Sequence, residues 1–206
     1  MSMYFIKTPE LLKRMYPNQI WSIPNDKKKI YLTFDDGPTP RITESILQTL
    51  NDYLAKATFF LVGENALRYP ELVQSIKSEG HSIGNHTHRH LNGWQTNTNA
   101  YAKDVLKCEE IISSKLFRPP YGRITRSQTK VMTNRYKVVM WDVLSGDFDH
   151  TITKDRVLKN VIDNTKPGSI IVFHDSIKAA SRMQFALPRV LEYFTEREYT
   201  FAKISR

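Results

Sequence analysis

Short apolar runs alternate with amphipathic stretches along almost the whole chain. The runs cover residues 30–34, 57–62, 81–84, 116–118, 136–141, 169–173 and 200–204, and they are rich in Val, Ile, Phe and Tyr. Runs this short and continuous predict strands buried on both faces, because a half-exposed strand would alternate apolar with polar. Between them the spacing turns helical. Ile42, Ile46, Leu47, Leu50 and Leu54 make one stripe after Pro40, a residue favoured at the first helical position. Leu72, Val73 and Ile76 follow Pro70 and stop at Gly80. Tyr101, Val105, Cys108 and Ile112 share a face over 99–114. Val157, Leu158, Val161 and Ile162 precede a Lys-Pro-Gly stop at 166–168, and Leu187, Val190, Leu191 and Phe194 complete the set. Near the start, Leu11, Leu12, Met15, Ile20 and Trp21 predict a short helix packed over the bottom or edge of the fold. Residues 1–28 are therefore read as an N-terminal extension and 29–206 as one α/β domain.

Strand and helix alternating about seven times predicts right-handed crossovers and a parallel sheet. Such a sheet is either open and doubly wound or curled into a distorted (β/α) barrel. The chemically capable residues decide between them. Asp35 and Asp36 follow the first run, His86 and His90 the third; Arg118 ends the fourth, Asp147 follows the fifth and His174 the sixth. A barrel gathers the C-terminal ends of its strands around one mouth, whereas an open sheet spreads them. The expectation is a distorted barrel of about seven parallel strands in a single domain.

Bulk properties narrow this further. The 206 residues are 40% hydrophobic and 25% charged, enough for one substantial core. No apolar run reaches a membrane span, and residues 1–7 lack a basic n-region followed by an apolar h-region. The chain is thus read as intracellular or as one from which a leader has been removed. The net charge of +9 favours anionic partners. The basic residues are scattered apart from Lys27, Lys28 and Lys29, and no arginine-rich arm or finger accompanies them, so nucleic acid is not an expected partner. Cys108 is the sole cysteine, which excludes an intrachain disulfide and reads as a buried thiol. Nothing in the sequence addresses the oligomeric state.

The candidate chemistry starts from a carboxylate pair, Asp35-Asp36-Gly37, and a histidine pair, His86 and His90. One Asp and two His can hold a divalent metal and leave positions open, and the second Asp is then a spare base. Histidines four apart reach one side of a helical or tight turn, while His88 between them points elsewhere. Arg118-Pro119-Pro120-Tyr121-Gly122 is a stiffened strand exit whose arginine can orient a carboxylate. Asp147 closes a fourth segment that begins at Trp141. His174, after four apolar strand residues, is either a satisfied core-edge group or a catalytic acid.

These five segments, in this order, resemble the NodB-homology polysaccharide deacetylases, carbohydrate esterase family four, from about Lys29 to the C-terminus. The resemblance implies a distorted barrel and a hydrolase that uses one divalent metal to remove N-acetyl groups from an N-acetylglucosamine-containing glycan: peptidoglycan, a chitin-like oligomer or a surface polysaccharide. It implies Asp36, His86 and His90 as metal ligands and Asp35 as catalytic base, oriented by Arg118. It implies the Tyr121 backbone N–H as a donor to the oxyanion, and His174 as general acid with Asp147 as its carboxylate partner. The nitrogen and carboxylate donors suit Zn²⁺ foremost, with Co²⁺ and Ni²⁺ also suited. Two positions depart from the family pattern: Phe148 stands where Trp is usual and Val172 where Leu is usual. Both are expected to wall the acetyl pocket. Alternatives carried forward are hydrolysis of a non-sugar amide, a non-catalytic glycan-binding module, and an iron oxygenase using two His and one carboxylate. The last leaves the second Asp and His174 without a task.

Overall fold

In the computed structural model of the chain, the five residues from Ile30 to Phe34 are all buried. A strand with no wet face belongs at the centre of a sheet covered on both sides, and this one sits there. The structure describes residues 4–25 and 27–205. The first three residues, part of the stretch read for a leader and of the N-terminal extension, lie outside the described residues.

Nine strands form among those residues: β1 (Gln19–Ile20), β2 (Lys29–Asp35), β3 (Thr58–Leu61), β4 (Ser82–Asn85), β5 (Leu116–Phe117), β6 (Lys137–Val139), β7 (Val143–Leu144), β8 (Ile170–His174) and β9 (Thr200–Phe201). They interleave with α1 (Glu10–Met15), α2 (Ile42–Asp52), α3 (Gly63–Arg68), α4 (Pro70–Ser78), α5 (Thr98–Ile112), α6 (Arg126–Thr133), α7 (Lys154–Ile162) and α8 (Ile177–Thr195). The sheet runs β1-β6-β5-β4-β3-β2-β8-β7, with β9 also on β2, and every strand pair is parallel. It is a curled half-barrel, so the α/β distorted-barrel expectation holds. The main core lies between the sheet and its helices, with Phe34, Phe59 and Phe173 stacked across neighbouring strands. Cys108 is fully buried, as its stripe on α5 predicted.

Several local expectations need correction. The helix expected after Pro40 begins at Ile42, because Arg41 takes a left-handed φ of 67° and cannot sit in a right-handed turn. Leu54 is not on its apolar stripe. The helix ends at Asp52, Leu54 turns to φ 51°, and its side chain is 86% exposed. The last helix starts at Ile177, ten residues before the apolar stripe that announced it, and carries Pro188 in its interior. The short helices α3 and α6 and the two-residue strands β1 and β7 were not expected. Their residues are few, and non-local partners define them.

The N-terminal segment has a specific place in this sheet. β1 pairs with β6, placing Gln19 beside Val138 and Ile20 beside Val139. Upstream, Lys7 bridges antiparallel to Val143, the Leu144 N–H donates to Ile6 O at 2.8 Å, and the Thr8 N–H donates to Asp142 O at 2.9 Å. Residues 6–20 therefore link the two edges of the half-barrel. The stretch read as one helix divides: Leu11, Leu12 and Met15 lie on α1, Ile20 in β1. Asp142, fully buried, pins the segment by accepting from Lys7 Nζ and Lys13 Nζ, both at 2.6 Å, and from Ser169 Oγ at 2.6 Å. Asp142→Ala removes all three contacts and is expected to cost about 2–3 kcal/mol, the scale of hydrogen bonds to a charged group. Thermal melting measures that loss, and trypsin should cut faster after Lys13 and Arg14. An unchanged melt would show the anchor to be dispensable.

Candidate active site

Strand register sets the level of the site. Asp35 on β2 pairs with His174 on β8, and Asn85 on β4 pairs with Phe117 on β5. The residues that end or leave these strands, Asp35, Asp36, His86, Arg118 and His174, are thereby brought to one end of the sheet. Asp35, Asp36, His86, His90, Tyr121 and His174 all line one cavity of about 390 Å³. Arg118 and Asp147 stand behind it, both fully buried.

At the end of β2 the two carboxylates separate. Asp35 accepts from Arg118 Nη1 at 2.7 Å. Asp36 adopts φ 82°, a costly conformation for a residue with a Cβ, which turns its side chain away from that of Asp35. Its carbonyl is held by Asn65 Nδ2 at 2.8 Å. Gly37 follows because a Cβ there would sit 2.2 Å from Asp175 Oδ2. Asp175 is fully buried against Thr43, and burial pushes its carboxyl up to about 7.

Of the helical or tight turn that the histidine spacing suggested, the helical one does not form. Thr87 (φ 62°) and His90 (φ 56°) are both left-handed, and these reversals bring the two rings together with centroids 5.1 Å apart. Asp104, buried on α5, holds the loop from outside. Its carboxylate accepts from the N–H groups of His88 and Arg89 at 2.8 and 3.0 Å and from Arg89 Nε at 2.8 Å. His88 points away from the cavity and is buried, as the spacing suggested.

Asp36 Oδ1 lies 3.1 Å from His90 Nε2 and 3.7 Å from His86 Nε2, and the three side chains offer donor atoms all within 4.8 Å of one another. The set fits a divalent cation for a reason internal to this structure. His86 Nδ1 is 2.8 Å from Arg118 O. A carbonyl only accepts, so Nδ1 carries the ring proton. Burial lowers the His86 pKa to about 4, which keeps the ring neutral and its Nε2 a bare lone pair. That lone pair faces an anionic oxygen, an arrangement a cation between them satisfies. Burial pushes the Asp36 carboxyl up, yet the His90 hydrogen bond and the charge of His174 hold it below the usual carboxylate range.

Arg118 spends every donor nitrogen inside the protein. Nε donates to Val139 O at 3.1 Å, Nη2 to Met140 O at 2.8 Å, and Nη1 to Thr33 Oγ1 and Asp35 Oδ1, each at 2.7 Å. Its guanidinium lies 4.2 Å from the Phe60 ring centre. Tyr121 sits at φ 61°, and its N–H meets no acceptor among the described residues. Its hydroxyl is 3.1 Å from His90 Nδ1. Gly122 has φ 66°, and a Cβ there would come within 2.6 Å of the Trp141 ring.

Across the cavity, Asp147 grips His174 twice: Oδ1 with the ring Nδ1 and Oδ2 with the backbone N–H, both at 2.7 Å. Burial lowers the His174 pKa, but the Asp147 charge and hydrogen bond, with Asp36 and Asp35 nearby, raise it to about 9. Phe148 and Val172 both line the cavity, and the Phe148 ring lies edge-on to His174 at 5.0 Å. Sequence reasoning missed six residues of the wall: Tyr4, Arg123, Trp141, Leu144, Ser176 and Lys178. It also missed Asp104, whose only signal was a carboxylate on an otherwise apolar helix face.

The chain is similar to known proteins in both sequence and structure. The family model described as polysaccharide deacetylase matches residues 22–138. A peptidoglycan-N-acetylglucosamine deacetylase of Bacillus cereus is 40% identical over 163 residues, covering 76% of this chain and 59% of that protein's length. A second protein of the same description from that organism is 33% identical over 192 residues, covering 90% of both. Among solved structures, the Bc1960 peptidoglycan N-acetylglucosamine deacetylase, in complex with 4-naphthalen-1-yl-N-oxidanyl-benzamide, superposes with a TM-score of 0.88 at 35% identity, covering 96% of this chain and 95% of that one.

Proposed function

The chain belongs to the polysaccharide deacetylase family, and we propose that it hydrolyses the N-acetyl group of an N-acetylglucosamine-containing glycan: peptidoglycan, a chitin-like oligomer or a surface polysaccharide. The observation that carries this reading is the convergence of Asp36, His86 and His90 beside a separately held Asp35, with His174 across the same cavity. No helix among the described residues is long and apolar enough to cross a membrane.

Asp36, His86 and His90 would hold one divalent ion, Zn²⁺ first among candidates and Co²⁺ or Ni²⁺ next. Such an ion supplies Lewis acidity and makes water a nucleophile near neutral pH. The chain's own residues do the rest. Asp35, aimed by Arg118, takes the proton from the attacking water as its oxygen bonds to the acetyl carbon. The Tyr121 N–H donates to the carbonyl oxygen as it becomes an oxyanion, a donor fixed before the reaction. An amine leaves poorly unless protonated, so His174 gives its Nε2 proton to the sugar nitrogen as the C–N bond breaks. Asp147 occupies Nδ1 and keeps Nε2 facing the cavity. Phe148 and Val172 wall the space beside the acid, where the acetyl methyl would sit.

Acetate release from chito-oligosaccharides tests the reading. Release should stop with a chelator and return when Zn²⁺ or Co²⁺ is restored. Glycan binding without acetate under every metal would replace the hydrolase with a binding module. Oxygen uptake with Fe²⁺ would replace it with an oxygenase.

A pH profile tests His174 separately. The acid works only when protonated, so the rate should hold below about pH 9 and fall above it. Asp147→Asn removes the charge that raises this group, and the alkaline limb should move about one to two pH units toward acid. His174→Ala should cost on the order of 10²–10⁴ in rate. The His174–Asp147 pair also stabilises the fold. Its contribution is present in full below the ordinary histidine pKa and disappears as pH rises through about 9. A limb that stays in place in Asp147→Asn would assign leaving-group protonation to another residue.

A further inference from the structure

A second groove of about 420 Å³ opens from the catalytic cavity, sharing Tyr4, Tyr121, Arg123, Trp141 and Leu144 with it. Grooves of this size lie within the roughly 300–1,000 Å³ range of small-ligand sites. Three of its aromatic walls face water, Trp94 at 65%, Phe5 at 62% and Tyr121 at 60% exposure. Rings held open beside a reaction centre offer flat apolar faces to the flat faces of sugar rings. Arg123 is the one charged residue lining this groove. Its guanidinium lies 5.2 Å from the Trp94 ring centre and 6.0 Å from that of Tyr121.

Arg123 makes no ion pair among the described residues. Some cations elsewhere are paired, Arg89 with Asp104, Lys115 and Arg135 with Glu109, Arg118 with Asp35, and Lys7 and Lys13 with Asp142, and others, like Arg123, are not. Lys178 is the other Lys or Arg on the catalytic cavity. It lies 5.6 Å from the Phe148 ring centre and likewise has no carboxylate partner among the described residues. The cleft thus presents two cations, each beside an aromatic ring. A guanidinium already oriented by stacking loses little freedom when it takes a carboxylate through its two-pronged face.

We infer that Arg123, presented by Trp94 and Tyr121, is a specificity residue that binds a carboxylate on the sugar unit next to the one being deacetylated, so that this protein prefers an acidic N-acetylated glycan to a neutral one. The inference rests on the glycan deacetylase reading. Lys178, on the same cavity, reinforces the preference.

Three tetrasaccharides test it. One is neutral chitotetraose. The second alternates N-acetylglucosamine with sugars bearing a lactyl carboxylate. The third is the second with a short peptide amide-linked to each lactyl group, which moves the acidic groups from sugar to peptide. Metal-loaded wild type should show a kcat/KM on the second or third substrate about tenfold above that on the first, and Arg123→Gln should erase that ratio mainly through KM. Arg123→Lys should restore part of it, and the preference should shrink between about 50 and 300 mM salt. The second and third arms tell a sugar-borne carboxylate from a peptide-borne one. A ratio that Arg123→Gln leaves intact on both acidic substrates overturns the inference. Acetate from none of the three overturns the deacetylase reading instead. Titration calorimetry with Asp35→Asn, with and without Arg123→Gln, then still reads the preference as affinity. A tenfold difference on the acidic glycan sustains it, and equal affinity rejects it.

Discussion

Asp35→Asn should abolish acetate release, a loss on the order of 10³–10⁴ in rate, while the protein still takes up one divalent ion. The two carboxylates of the pair are held by different neighbours, and that separation makes the prediction sharp. Asp36 faces His86 and His90, whereas Asp35 faces Arg118. Asparagine keeps an oxygen where Asp35 Oδ1 accepts from Arg118 but loses the basic oxygen that would take a proton from water. Metal content by elemental analysis should match wild type, and circular dichroism should show the same fold. His86→Ala gives the contrasting result, losing metal and turnover together. Near-normal acetate release from Asp35→Asn would remove Asp35 from the mechanism and make the aspartate pair a turn with one functional member.

Arg118→Met should be the most destabilising single change at the site. The arginine is fully buried, and Asp35 is 4% exposed. Breaking a buried ion pair by deleting one partner typically costs about 3–5 kcal/mol, because the remaining charge has neither water nor counter-charge. Here the deletion also frees the carbonyls of Val139 and Met140 and the hydroxyl of Thr33. At roughly 2–4 °C per kcal/mol for a chain of this size, melting should fall by about 10 °C. Activity should fall with it even at temperatures where the protein stays folded, since Asp35 loses its orientation. The double variant Asp35→Asn, Arg118→Met separates the two effects. It should melt well above the sum of the single losses, since removing both charges removes the penalty each leaves for the other. Strict additivity would show that the pair does not interact as the 2.7 Å contact indicates.

The strand ends were legible in the sequence, and for a physical reason. A strand buried on both faces has no room for polar residues until it leaves the sheet. The first Asp, His or Arg after an apolar run therefore marks the exit, as Asp35, His86, Arg118 and His174 do. Parallel pairing brings these exits to one level without further information from the chain. What the sequence did not disclose depends on contacts between distant segments. The left-handed backbone at Asp36, Thr87 and His90 is unfavourable locally and persists because Asn65 and Asp104 hold these loops from other elements. Arg123 and Trp94 are 29 positions apart, so no local pattern could announce their stacking. The four-residue spacing of the histidines suggested a helical or tight turn, and it is a tight, irregular loop that brings the rings together.

The strap formed by residues 6–20 has a consequence for assembly. It is made before all of its partners, Val138, Val139, Asp142 and Val143, which lie well over a hundred positions later. A chain emerging from the ribosome can zip β2, β3, β4 and β5 in succession while residues 6–20 wait unpaired. The seam then shuts only after β6 and β7 arrive, a long-range closure of the kind that slows folding. Tyr4 and Trp141 come to the mouth of the cavity at that moment. Capacity to process a substrate would thus appear late and abruptly during biogenesis, well after most of the scaffold has condensed.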